Sequence, residues 1–144
     1  MGKDEIEAAF PGLIKGGFSI TSPSTADYNC IAWAAADTGN WWDPHPDYFW
    51  PSGIPRKYSV EAYIRAYETL GYTLCSTADY EQGYEKIAIY VNPDGEPTHA
   101  ARQLESGHWT SKLGQIEDIE HETLAGVEGK EYGSATAFMK RLKN

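Results

Sequence analysis

The sequence predicts one α+β domain, and two observations carry that prediction. An apolar segment rich in small residues, including Tyr28, Ile31, Ala32, Ala34, Ala35 and Ala36, reads as a buried helix over residues 26–37. Later, three short apolar runs alternate with the turn sequences Asn92-Pro93-Asp94-Gly95 and Glu105-Ser106-Gly107, the pattern of hairpin-connected strands in an antiparallel sheet. A chain of 144 residues that is 41% hydrophobic can build one real core and is short for two, so residues 1–144 are expected to fold as one domain.

The elements follow in order. Residues 3–10 read as a short amphipathic helix ended by Pro11-Gly12, and Gly16-Gly17 and Pro23 mark a loop. The capping candidates Ser24, Thr25 and Asp27 then lead into the apolar helix, which places Cys30 in or near its first turn. Residues 40–51, with Trp41, Trp42, Tyr48, Phe49 and Trp50 among three prolines, cannot form a regular helix or a central strand and read as an ordered aromatic loop. Its rings either cap the core or wall a substrate groove, and Trp41, Trp42, Tyr48 and Trp50 are the substrate-binding candidates. Residues 59–71 have apolar positions 60, 63, 64, 67 and 70, a serine to cap the start and Gly71 past the end, the pattern of an amphipathic helix. Strands are expected over 72–75, 86–91, 98–103 and 108–113, and the tail from Ser134 to Leu142 is expected to be helical, with Ala135, Phe138, Met139 and Leu142 on one side and basic residues at its end.

Composition narrows the function. A formal net charge of −9, with basic residues clustered only at Lys140-Arg141-Leu142-Lys143, argues against nucleic acid, which is bound through grouped Lys and Arg. No apolar run approaches the roughly 20 residues of a membrane span, and the acidic start Met1-Gly2-Lys3-Asp4-Glu5 is unlike a signal peptide. The expected location is the cytosol, or outside the cell by a route needing no such signal. Cys30 and Cys75 fit neither a disulfide framework nor a zinc site, His45 in Asp43-Pro44-His45-Pro46-Asp47 has no ligand spacing, and no cofactor or metal is expected. Cys75 is expected to pack as a small hydrophobe.

A thiol at a helix start is favoured as thiolate by exposed N–H groups and the helix dipole, and His99 at the start of a strand is available as its base. Cys30 would attack a carbonyl carbon, and a third polar group would orient the imidazole. Hairpin geometry sets Ser111 opposite Ala101 and diagonal to His99, so Ser111 is preferred over Gln103, Asp118 and His121. The backbone N–H of Cys30, aided by Asn29 or Tyr28, would form the oxyanion hole.

A cysteine-bearing helix followed by an antiparallel sheet carrying histidine resembles the papain-like fold, in its NlpC/P60-like and CHAP-like branches. Tyr28-Asn29-Cys30-Ile31-Ala32-Trp33-Ala34 departs from the Asp-Cys-Ser-Gly usual there and, with Trp109-Thr110-Ser111-Lys112-Leu113-Gly114, is similar to a group of small uncharacterised bacterial proteins. The resemblance implies a cysteine peptidase or amidase acting on a peptide, glycopeptide or protein, in peptidoglycan or as a protein-modifying effector, with the third residue on the strand after the histidine, here Thr110, Ser111 or Lys112. Two non-catalytic readings stand beside it: a glycan- or peptide-binding module built on the aromatic loop, and an acidic immunity-type protein that covers a basic partner.

Overall fold

The computed structural model describes residues 2–22, 25–113 and 117–143, so Pro23, Ser24 and Gly114 lie outside the described residues. Seven strands form one antiparallel sheet: β1 (Phe18–Ser22), β2 (Thr73–Cys75), β3 (Tyr84–Val91), β4 (Pro97–Gln103), β5 (Trp109–Lys112), β6 (Asp118–His121) and β7 (Ser134–Leu142), in the order β1-β6-β5-β4-β3-β7-β2. The hairpins β3-β4-β5 are the three strands the turn sequences predict.

Side chains of β3 and β4 alternate between two cores because both faces of the sheet are covered. On one face Ile87, Ile89 and Ala100 pack with α3 (Cys30–Ala34), α4 (Val60–Glu68) and the aromatic loop. On the other, Ala88, Tyr90 and Ala101 pack with Ile6, Phe10 and Leu13 from α1 (Lys3–Ala9) and α2 (Gly12–Gly16). The protein is therefore mixed α and β, with short helices on both sides of a small antiparallel sheet.

Helix α4 matches its sequence pattern: Ser59 caps it through the Ala62 N–H, and Gly71 takes φ +91 beyond its end. Helix α3 is shorter than the apolar run implies. Asn29, rather than a residue further upstream, accepts the Ala32 N–H and starts the helix at Cys30.

Four elements depart from expectation. The chain resumes a helical turn, α2, directly after Pro11, and residues 18–22 and 118–121 are strands β1 and β6 where the pattern suggested loop. The segment 76–79, which has the form of a capping box, makes a turn in which Thr77 accepts the Asp79 N–H. The tail is strand β7, inserted between β3 and β2. Its Met139 belongs to one core while the neighbouring Phe138 packs against the other, and apolar residues at consecutive positions of a two-faced strand mimic the i, i+3, i+4 spacing of a helix. The basic residues of the tail accordingly serve the sheet: Lys140 pairs with Glu81 at 3.1 Å and Arg141 with Glu85 at 2.6 Å.

Gly133 enters β7 with φ +74, and a Cβ there would lie 1.9 Å from the Val91 carbonyl oxygen. Only glycine fits this crossing, which also fixes the neighbouring Tyr132.

Candidate active site

Cys30 is the first residue of α3 and is buried. Asn29 builds this corner: its Oδ1 accepts N–H groups from both Ala32 and Trp42 at 3.1 Å, and its Nδ2 donates to the Trp42 carbonyl at 2.6 Å. One side chain thus caps the helix and ties the aromatic loop to it. Nδ2 spends one of its two N–H donors in this way, and Asn29 also lines the Cys30 cleft. Tyr28 is unavailable for an oxyanion hole, since its hydroxyl donates to Asp118 Oδ2 at 2.6 Å.

The backbone N–H groups of Ala100, Ile31 and Cys30 itself lie near enough to the Cys30 sulfur to favour its thiolate. Amides of alternate residues along a strand point the same way, and Leu104 donates to His108 across the β4–β5 hairpin, so the Ala100 N–H points toward β5. The β4–β5 ladder stops at Arg102 and Thr110, and beyond it the Ala100 amide faces Cys30 at the open seam between the strands. Burial nevertheless dominates and pushes the thiol up to about 11, although these amides and the Lys112 ammonium lower it.

His99 lies on the other face of β4 from Ala100, directly opposite Tyr90 and stacked on the Tyr132 ring at 4.0 Å. Among the described residues no hydrogen bond joins it to Cys30. Its Nε2 meets Ser111 Oγ at 2.9 Å, Ser111 Oγ meets His121 Nε2 at 2.7 Å, and His121 Nδ1 meets the Thr123 carbonyl at 2.8 Å. Burial drives His99 well below its ordinary pKa and His121 down to about 4, so both rings are neutral at pH 7. The direction of every proton in the chain then follows. A carbonyl only accepts, so His121 carries its proton on Nδ1 and accepts at Nε2; Ser111 donates there, and its oxygen accepts from His99 Nε2–H. His99 Nδ1 is consequently a bare lone pair, fully buried and without a hydrogen-bond partner.

A cleft of about 230 Å³ opens at this corner, lined by Asn29, Cys30, Ile31, Trp41, Asp43, Tyr58, Tyr63, Pro97, Thr98 and Tyr132. Tyr132, whose ring covers His99, is thus also a wall of the Cys30 cleft; the sequence flags it only as an aromatic between Gly129 and Gly133. Of the four aromatic binding candidates, Trp41 alone lines the cleft. Trp42 and Trp50 are each 4% exposed and pack in the core, Trp50 donating its indole N–H to the Pro55 carbonyl. This corrects their assignment to a groove wall: large rings in a short proline-broken loop gain more by filling the space over α4. Tyr48 is exposed and sits beside Trp41, outside the cleft lining.

Of the other candidates for the third position, Thr110 accepts the Trp33 indole N–H, Gln103 donates to the Ala78 carbonyl, and Asp118 faces Tyr28 and Ser22 on the α3 side. Cys75 is half-buried rather than packed in a core, and its sulfur contacts the Thr77 carbonyl. Among the described residues no group of three or more His, Cys, Asp or Glu is placed to hold a metal, and no helix is long and apolar enough to cross a membrane.

Residues 19–140 match the model of a family described as a domain of unknown function, DUF7689. The chain belongs to the DUF7689 family. The matched span includes Cys30, His99, Ser111, His121 and Tyr132 and leaves out α1 and α2, so the candidate site lies wholly within the family's domain. No curated protein and no solved structure matches the chain.

Proposed function

We propose that this protein is a cysteine hydrolase that cleaves an amide bond of a peptide or protein, with Cys30 as nucleophile, His99 as base and Ser111 orienting the imidazole, on a scaffold of papain-like, NlpC/P60-like or CHAP-like type. One observation carries the reading: His99 Nδ1 is an unpartnered lone pair whose tautomer is set by the Ser111–His121–Thr123 chain, and the next residue, Ala100, turns its amide toward Cys30.

In the resting protein the thiol and the imidazole are both neutral, because burial disfavours charge on each. The reaction on this reading begins when a carbonyl group enters the cleft. His99 lies on the other face of β4, so on this reading its ring turns past Tyr132 into the cleft; the thiol proton then passes to Nδ1 as the sulfur bonds to the carbonyl carbon, and the backbone N–H of Cys30 donates to the developing oxyanion. The C–N bond then breaks, His99 returns the proton to the leaving amine, and water hydrolyses the thioester.

The test is alkylation of Cys30 by iodoacetamide in a Cys75→Ser background as a function of pH, with and without His99→Ala. The expected rate at pH 7 is at least about tenfold higher with His99 than without it. A rate that climbs only toward pH 11 and ignores His99 refutes the hydrolase. It would leave the second reading, a binding module with an inert cysteine, which the upward-shifted thiol and the ring of Trp41, Tyr58, Tyr63 and Tyr132 around the cleft favour.

A further inference from the structure

A second cavity, of about 390 Å³, lies past the other end of α3 from Cys30 and shares no lining residue with the Cys30 cleft. Three cations line it, Arg102, Arg141 and Lys143, together with Glu85 and Glu105. Two of the cations are answered within the protein. Arg141 donates from Nε to Glu85 at 2.6 Å and from Nη1 to the Leu70 carbonyl at 2.8 Å, and Lys143 reaches Glu105 at 3.3 Å.

Arg102 is different. Among the described residues its guanidinium makes no hydrogen bond and no ion pair; its one specific contact is with the Trp33 ring, whose centroid is 4.6 Å from Cζ. Trp33 is itself held, by Thr110 through its indole N–H at 3.2 Å and by stacking on Tyr28, so the surface beneath the guanidinium is rigid. A half-buried charge without a hydrogen-bond partner is costly to keep, and burial lowers the Arg102 pKa more than the more distant Glu85 and Asp118 carboxylates raise it. A guanidinium lying on an indole keeps its edge, with donors in a planar fork, for a ligand.

We propose that Arg102 anchors a binding site for a small oxyanion, a carboxylate or phosphate group held edge-on by the guanidinium fork. The balance of charge limits the ligand to about one negative charge at the anchor: three cations face two carboxylates. The site is independent of Cys30 chemistry.

Thermal unfolding tests it, in sodium phosphate or sodium acetate against sodium chloride at equal ionic strength and pH. Phosphate stabilises many proteins by exclusion from their surface, so the quantity read is the difference between wild type and an Arg102→Met variant, with Arg102→Gln as a second variant should the first not fold. At an anion concentration ten times Kd the wild type should gain about 4 °C in Tm over either variant. A gain in phosphate alone assigns the ligand group as phosphate, a gain in acetate alone as carboxylate, and a gain in both as an oxyanion of either kind. Equal shifts in wild type and variants, or no shift with either anion, overturn the proposal. Arg102→Lys, which keeps the charge without the fork, should lose most of the gain; full retention would refute fork recognition.

Discussion

Acid should destabilise this protein earlier than its carboxylates would, because His99 and His121 are buried as neutral rings. In the unfolded chain each titrates near pH 6.5, whereas in the folded protein His121 is pushed down to about 4 and His99 well below its ordinary value, both chiefly by burial. The unfolded state therefore binds more protons between these limits, and stability falls as pH drops below about 6.5. For His121 the loss by pH 5 is about 2 kcal/mol, a large share of the 5–15 kcal/mol typical of a domain, and His99 adds to it in the same direction. Glu81 and Asp37, whose folded pKa values are lowered, lose their contribution only as pH falls below about 4, which separates the two effects. Urea unfolding at pH 7.5, 6 and 5 measures the slope. His121→Leu should lower stability throughout and flatten the slope by about 1.4 kcal/mol per pH unit. A wild-type stability unchanged between pH 7.5 and 5, or a His121→Leu slope equal to wild type, would show that the rings are not buried neutral and would undo the proton assignment that leaves His99 Nδ1 bare.

Two other outcomes test the architecture around the site. Just past the end of α3, Ala36 takes φ +62, and the Asp37 N–H returns to Ala32 and the Ala36 N–H to Trp33 at 2.9 and 3.0 Å. Ala36→Gly should raise stability by about 0.5–1 kcal/mol in urea unfolding, the left-handed cost of alanine less the added flexibility of glycine, and a loss of stability would contradict the cap geometry. Asn29→Ala, which removes the cap and both bonds to Trp42, should cost about 2–3 kcal/mol and expose the loop backbone at residues 41–43 to faster amide hydrogen exchange. Unchanged exchange there would mean that the loop is held by its rings alone.

Local signals are legible in the sequence wherever the determinant is local. Ser59 and Gly71 bracket α4, the Asn92–Gly95 and Glu105–Gly107 turns set the β3-β4-β5 hairpins, and hairpin register alone places Ser111 diagonal to His99, where the structure has them bonded at 2.9 Å. The sequence by itself also brings Cys30 to a helix start. Whether Trp42 and Trp50 face solvent or core depends on what lies across α4, and whether residues 134–142 coil or extend depends on β3 offering an open edge. Tertiary structure alone decides these, because burial on two faces erases the periodicity that tells strand from helix. It also decides the chemistry of the site. A cysteine at a helix start has its thiolate favoured by the exposed amides, yet burial at the β4–β5 seam outweighs them and keeps the Cys30 thiol neutral. The path of three hydrogen bonds from Thr123 through His121 and Ser111 to His99 exists only because β4, β5 and β6 lie side by side, and it is this lateral packing that fixes where the proton on His99 resides.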